Sequence, residues 1–480
     1  MAFHPAASVT IPETIVISDF HIAAGALDDC DPTLERHICE FFSSLARRAP
    51  PIVLVMNGDF LDFVQADPAE GPELESETPD GVPLCFTEAQ SLAKLHAIHG
   101  AHRPIFRSLG AFLNADSANE LVVLPGNHDV DFFWPSVWRE FVCGLGLTSD
   151  AASRVRVHLD QAFVLGDVSR VWIEHGHQYD PLNAFTLASG PLWSPSRPPV
   201  LLDREGVPRL FESIGTRFMI RFFNQLDRRH SFDDNIKPLC RLLATFGADA
   251  VQTGRAPVEA MAALVALFRF FVTTLAQYPT NVLAEDPRDS IAAGGTLARI
   301  GASMGFVTLM SLGKSLRRAG FPLDRPLYMF VADAARARRL LEFLVAHPNL
   351  LESIDGLQPD RDGSQAPDRT LELNGHVVRD NSARLERQAR ALLQAPDVTL
   401  VAMAHLHQPV CPSAAFRYAN TGCWGTPFNA VVRASQTGPT RLPYLHIPPG
   451  RPEDSQLLYV GITRADCASL ATSTAACDAR

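Results

Sequence analysis

The stretch LPGNHDVDF, Leu124 to Phe132, sets an asparagine, a histidine and an aspartate side by side after a Pro-Gly turn. The run before it, Glu120 to Val123, is largely aliphatic and reads as a buried strand. A turn with an Asx cap would explain one such motif by itself. A functional reading needs company, because ligands of open α/β sheets gather beyond the carboxyl ends of several strands.

Four other aliphatic runs end in the same way. VISDFH ends on Asp19 and His21, and LVMNGDFLD carries Asp59 and then Asp62. WIEHGH ends on His175 and His177, and MAHLH on His405 and His407. A lone histidine at a strand end is usually a hydrogen-bonded surface residue. Five strand ends of one kind point to a shared site. Strand side chains alternate, so pairs such as Asp19/His21 and His405/His407 are expected on one side of an extended segment. Carboxylates, imidazoles and an amide oxygen without thiolate suit Mn, Fe or Zn, and a bridging carboxylate suits two divalent ions. Helical spacing of Leu34, Ile38, Phe41, Phe42 and Leu45 predicts a helix from Pro32 to Arg48, and another long helical stretch runs from Glu88 to Asn114. Strands alternating with helices give an α/β core.

Composition bounds the rest. The chain has 480 residues, 46% apolar and 20% charged, which is globular and too long for one ordinary domain. A net charge of −11, from 53 acidic and 42 basic residues, argues against broad nucleic-acid binding. Nine cysteines without CxxC pairs suit a reducing, cytoplasmic setting. No signal peptide is visible at the start.

Strand-like runs disappear between Phe185 and Ala395, where long apolar helices are expected. The organisation is therefore a first core part over 1–184, a helical insertion or cap over 185–395, and a second core part with a tail over 396–480. AMAALVALFRFFVTTLA is short for a membrane span and carries Arg269, so a buried helix is the better reading. Arginines beside apolar residues in RFMIRFF and ARARRL leave peripheral contact with anionic lipid open, although solvated helix faces explain them as well. Arg217 and Arg221, four apart, could meet a substrate phosphate. Asp180 before Pro181 has the form of a helix cap. His96, His99 and His102 lie along one helix face without carboxylate neighbours and are expected to be surface or packing residues.

DFH, GDFLD, GNHD, HGH and AHLH closely resemble, in order, the motifs of the calcineurin-like metallophosphoesterase superfamily, and RYANTGCW resembles its strand after the last motif. The resemblance covers roughly Thr14 to Pro181 and Asp397 to Tyr459, with Ala404 where the family usually has glycine. It implies an αββα sandwich. It also implies a dinuclear site in which Asp19, His21 and His407 hold one ion, Asn127, His175 and His405 hold the other, and Asp59 bridges. His128 would be the catalytic acid or charge stabiliser, oriented by Asp129. Asp62 would support a ligand or the Asp59 loop, and His177 would line the pocket. The implied reaction is hydrolysis of a phosphoric ester or pyrophosphate by a metal-bridging hydroxide, on a phosphorylated small molecule or lipid-like substrate. The alternative is a non-catalytic scaffold of the same fold that binds partners through the insertion. A helical cap is distantly similar to that of UDP-2,3-diacylglucosamine pyrophosphohydrolase. That family has Arg in place of His128 and a far smaller cap, so the similarity extends to the cap and not to the substrate.

Overall fold

The computed structural model describes residues 11–49, 51–69, 74, 76–167, 169–180, 183–187, 189–220, 224, 316–323, 339, 343, 383–407, 409–424 and 442–460. The chain divides into two compact units. One comprises Met1–Phe185, Gly190–Thr216 and Ser382–Arg480, and the other Thr186–Ser189 and Arg217–Asn381. The boundaries thus fall elsewhere than the sequence suggested, because 190–216 and 383–395 belong with the first unit. Most of the expected helical insertion, including AMAALVALFRFFVTTLA and Arg221, lies outside the described residues.

The first unit is a mixed α/β structure. Its elements begin with β1 (Thr14–Ile17), α1 (Pro32–Ala46), β2 (Val53–Asn57), β3 (Ser76–Glu77), β4 (Pro83–Thr87), α2 (Glu88–Ala101), α3 (Arg103–Ala115), β5 (Glu120–Leu124) and α4 (Pro135–Gly144). After α5 (Ser149–Ala152) come β6 (Val155–Val157), β7 (Ala162–Leu165) and β8 (Arg170–Glu174). The short β9 (Thr186–Leu187) belongs to the second unit, and the first unit resumes with β10 (Gly190–Pro191), β11 (Val200–Leu202) and β12 (Pro208–Phe211). It ends with β13 (Val398–Met403), β14 (Tyr418–Asn420), β15 (Pro443–Ile447) and β16 (Gln456–Tyr459).

One sheet has the order β16-β15-β1-β2-β5-β6, and a second has β14-β13-β8-β7. β1, β2, β5 and β6 run parallel, with Thr14 opposite Val53, Val53 opposite Glu120 and Leu121 opposite Val155. β13 runs parallel to both β8 and β14. Parallel neighbours have their carboxyl ends on one side, which gathers the motif residues. Val16, Val55, Val122 and Leu445 of the first sheet share one buried cluster with Val171, Ile173, Leu400 and Ala402 of the second. The alternate residues Ile15, Ile17, Leu54 and Met56 are buried too, so the first sheet is covered on both faces. A third, smaller sheet, β11-β12-β4-β3, includes two strands, β11 and β12, that lie within the span expected to be a helical insertion.

α1 starts at Asp31, whose side chain accepts from the Thr33 and Leu34 amides at 2.7 and 2.8 Å, and it packs against α3. The single helix expected from Glu88 to Asn114 is two, broken at His102. Pro104 offers no amide to continue the first helix. The His102 ring is held by Asp28 at 2.7 Å and Glu35 at 2.8 Å. Leu385 and Ala389, in a helical run over 383–392, pack on the second sheet with Val401, Met403 and Tyr418. Among the described residues no helix is long and apolar enough to cross a membrane.

Candidate metal centre

The expected ligands do not sit on the strands. β1 ends at Ile17, β2 at Asn57 and β13 at Met403, and the backbone then turns left-handed. Asp19, His21, Asp59, His405 and His407 have φ of 52°, 50°, 54°, 70° and 59°, and among the described residues they are the non-glycine residues with positive φ. Each such residue costs about 1–3 kcal/mol, and such strain persists only where the surroundings over-determine it. The side chains therefore converge through these turns and not through strand alternation, which corrects the sequence reading.

Hydrogen bonds between strand ends hold the turns. The amides of Asp19 and Phe20 donate to the Gly58 and Asp59 carbonyls at 3.0 and 2.9 Å. Ala404 N donates to His175 O, and Trp424 N to Asp19 O, at 2.9 and 3.0 Å. Phe20 stacks on Trp424 at 4.3 Å between centroids, which ties the RYANTGCW segment to the DFH turn. Two glycines are required by close approach. A Cβ on Gly58 would lie 2.2 Å from His175 Nδ1, and one on Gly126 would lie 2.2 Å from Asp59 Oδ1. Ala404, which stands where the resembled motif has glycine, is not among the positive-φ residues, so a methyl group there meets no backbone strain.

Two groups of side chains could each hold a metal ion: Asp19, His21 and His407, and Asp59, His175 and His405. In the first, His21 Nε2 and His407 Nε2 face one another at 3.1 Å, and Asp19 Oδ1 is 3.3 Å from His407. In the second, His175 Nε2 is 3.2 Å from Asp59 Oδ2. The same Asp59 oxygen is 3.9 Å from His21 Nε2, so Asp59 stands between the groups. His175 Nδ1 meets the Asn57 carbonyl at 2.7 Å, which fixes the ring and directs Nε2 into the cluster. Asn127 Oδ1 is buried without a hydrogen-bond partner, an acceptor that a cation would satisfy.

The electrostatics favour cation binding. Burial alone would raise the Asp19 carboxyl, but His407 and His175 outweigh it and hold the group below its ordinary value. Burial is likewise overcome at Asp59 by the charges of His175 and His128. It is overcome at Asp62 by His128 and His21, and both carboxyls lie well below the usual range. Three buried carboxylates kept ionised beside several imidazoles form a hard-to-borderline donor set. His21, Asp62 and His128 form a further group of possible ligands that overlaps the first through His21.

His128 is the edge of this cluster. Its Nδ1 is 2.7 Å from Asp62 Oδ2, which also meets His21 Nδ1 at 3.2 Å, and its amide donates to Asp59 Oδ1 at 2.9 Å. Asp62, not Asp129, is thus the carboxylate that orients His128. Asp129 instead accepts from the Gly126, Asp59 and Phe60 amides and fixes the Asp59 turn. His177 is buried against Trp193, with ring centroids 4.3 Å apart, and its ring centroid lies 5.5 Å from that of His175. Burial and the nearby His175 and His405 hold its imidazole well below the ordinary pKa.

The sequence context of Asp180 predicts a helix cap. Its Oδ2 in fact meets His405 Nε2 at 3.1 Å and accepts from Asn183 Nδ2 at 2.8 Å. The only signal for this was position, five residues beyond His175 in the same strand-end segment. His96, His99 and His102 find separate partners: His96 meets Glu140 at 3.1 Å, His99 lies edge-on to Phe106 at 4.8 Å, and His102 has its two carboxylates. No family model matches the sequence, and comparison with curated proteins gives no match either.

Proposed function

We propose that the protein is a dinuclear metal-dependent phosphoesterase, with the αββα sandwich of the calcineurin-like superfamily. The observation that carries this reading is Asp59, set between two groups of metal-competent side chains at the ends of parallel strands. Asp19, His21 and His407 would hold one ion. Asn127, His175 and His405 would hold the other, and Asp59 would bridge. Mn, Fe or Zn in such a site makes water nucleophilic near neutral pH and offsets charge on phosphoryl oxygens.

The chain's own part is positioning and proton transfer. Asp62 engages His128 Nδ1, so proton donation to the leaving-group oxygen falls to Nε2. His21 shares Asp62 with His128 and crosses its ring edge-on at 4.6 Å, which fixes the acid relative to the first group. The substrate class is a phosphoric ester or pyrophosphate, carried by a small molecule or a lipid-like one.

The test is turnover by manganese-, iron- or zinc-loaded protein of an aryl phosphate monoester, an aryl diester and a pyrophosphate. Hydrolysis of at least one is expected. Ions bound without turnover of any would favour a non-catalytic scaffold of the same fold.

A further inference from the structure

The second group of side chains is braced from beyond by a carboxylate of its own, Asp180. Asp180 leaves the β8 end after a short turn, His177–Tyr179. Glu174 secures that turn, because its Oε2 accepts from Trp172 Nε1, Gln178 Nε2 and Tyr179 Oη, each at 3.1 Å. Asp180 is buried at 5% exposure, and its Oδ2 meets His405 Nε2 at 3.1 Å. The same oxygen accepts from Asn183 Nδ2 at 2.8 Å. Asn183 Oδ1 in turn accepts from Asn127 Nδ2, at a longer 3.5 Å. One carboxylate oxygen is therefore linked, directly and through one amide, to two ligands of one metal.

We infer that Asp180 and Asn183 form an outer bracket that positions His405 and Asn127 and thereby sets the affinity of the second metal site, without being ligands themselves. At His405, a carboxylate that accepts a hydrogen bond from Nε2–H keeps the proton on that nitrogen and leaves Nδ1 with the lone pair for coordination. This is the carboxylate–histidine–metal relay by which outer groups fix tautomer and raise ligand basicity. At Asn127, engaging the amide nitrogen fixes the flip of the side chain and turns the orphan Oδ1 into the cluster. The first group depends on Asp62 instead, through His21, so the two sites should respond to different substitutions.

The inference rests on the dinuclear reading, and the experiment separates the two. Manganese is titrated into metal-stripped protein, with stoichiometry from elemental analysis and the paired or isolated state of the ions from electron paramagnetic resonance. Wild type is expected to bind two ions as a coupled pair. Asp180→Ala should weaken the second equivalent about 10–100-fold, the usual cost of losing an outer partner, and give the six-line signal of isolated manganese. Asn183→Ala should shift the second equivalent in the same direction by less. Asp180→Asn, which keeps an acceptor for His405, should recover part of the loss. His407→Ala serves as the reference for loss at the first site. If wild type binds a pair and Asp180→Ala and Asn183→Ala both bind it unchanged, the bracket is wrong and the dinuclear reading stands. Equal weakening of both equivalents in Asp180→Ala and Asn183→Ala would also overturn it, as a general packing defect. If wild type holds no pair, both fall.

Discussion

Two regions of this protein hold histidines against carboxylates, and they differ in what they leave undone. At the corner between α2 and α3, both nitrogens of His102 are taken, by Asp28 at 2.7 Å and Glu35 at 2.8 Å. The backbone there is ordinary, with φ of −115°. At the strand ends, two imidazole nitrogens face each other at 3.1 Å and a buried amide oxygen has no partner. Five residues there stand in the left-handed region. The corner is a finished ion pair. The strand-end cluster is strained, acceptor-rich and incomplete, and a cation would complete it. Carboxylate proximity is common to both regions; the unpartnered acceptor and the left-handed backbone set the second apart.

The largest effect expected is at His128, which stands at the edge of the cluster with its Nδ1 engaged by Asp62. His128→Ala should lower kcat by about 10²–10⁴-fold, the range for a general acid, while metal content stays unchanged. Unchanged turnover would remove His128 from the chemistry and leave the cluster as a binding site.

His102 gives the contrasting case. Burial disfavours its charged form, but Asp28 and Glu35 outweigh that and raise its pKa. A raised folded-state value means that the stabilisation is fully present below about 6.5, the pKa of a free imidazole. It is lost as pH rises through the folded-state value. His102→Gln should therefore destabilise by about 1.5–3 kcal/mol at acid pH, the range for a hydrogen bond to a charged group, and by less in mild alkali. Denaturant melts at several pH values check this, and metal binding should not move. If His102→Gln abolished metal binding, the distinction between the two regions would fail.

The smallest effect expected is at the α1 cap. Asp31→Ala should cost about 1 kcal/mol in a denaturant melt and spare the metal centre. A larger loss with metal release would mean that the cluster depends on helix docking more than on its own turns.

The motif residues, the aliphatic strands and α1 were legible in the sequence, because short buried runs and helical spacing are written in residue types. The reason the ligands converge was not. Strand alternation predicted Asp19 and His21 side by side, whereas a left-handed backbone at both brings them in. Backbone handedness at a non-glycine residue is set by tertiary hydrogen bonds such as Asp19 N to Gly58 O, which no local pattern encodes. The break at His102 has a local signal in Pro104, but the partners that hold the His102 ring, Asp28 and Glu35, are distant in sequence. Asp62 meets the expected ligand His21, as its place in the sequence suggests, but it also takes the His128 contact that adjacency suggests for Asp129, which points to the Asp59 turn.

Whether Asp59 joins two ion sites is decided by counting ions. Purified protein loaded with manganese, iron or zinc and freed of excess should carry close to two ions per chain by elemental analysis. Asp59→Asn should lose most of both while its thermal melt shows a folded protein. A wild-type protein that retains no divalent ion after loading, or an Asp59→Asn variant that keeps two, would contradict the account.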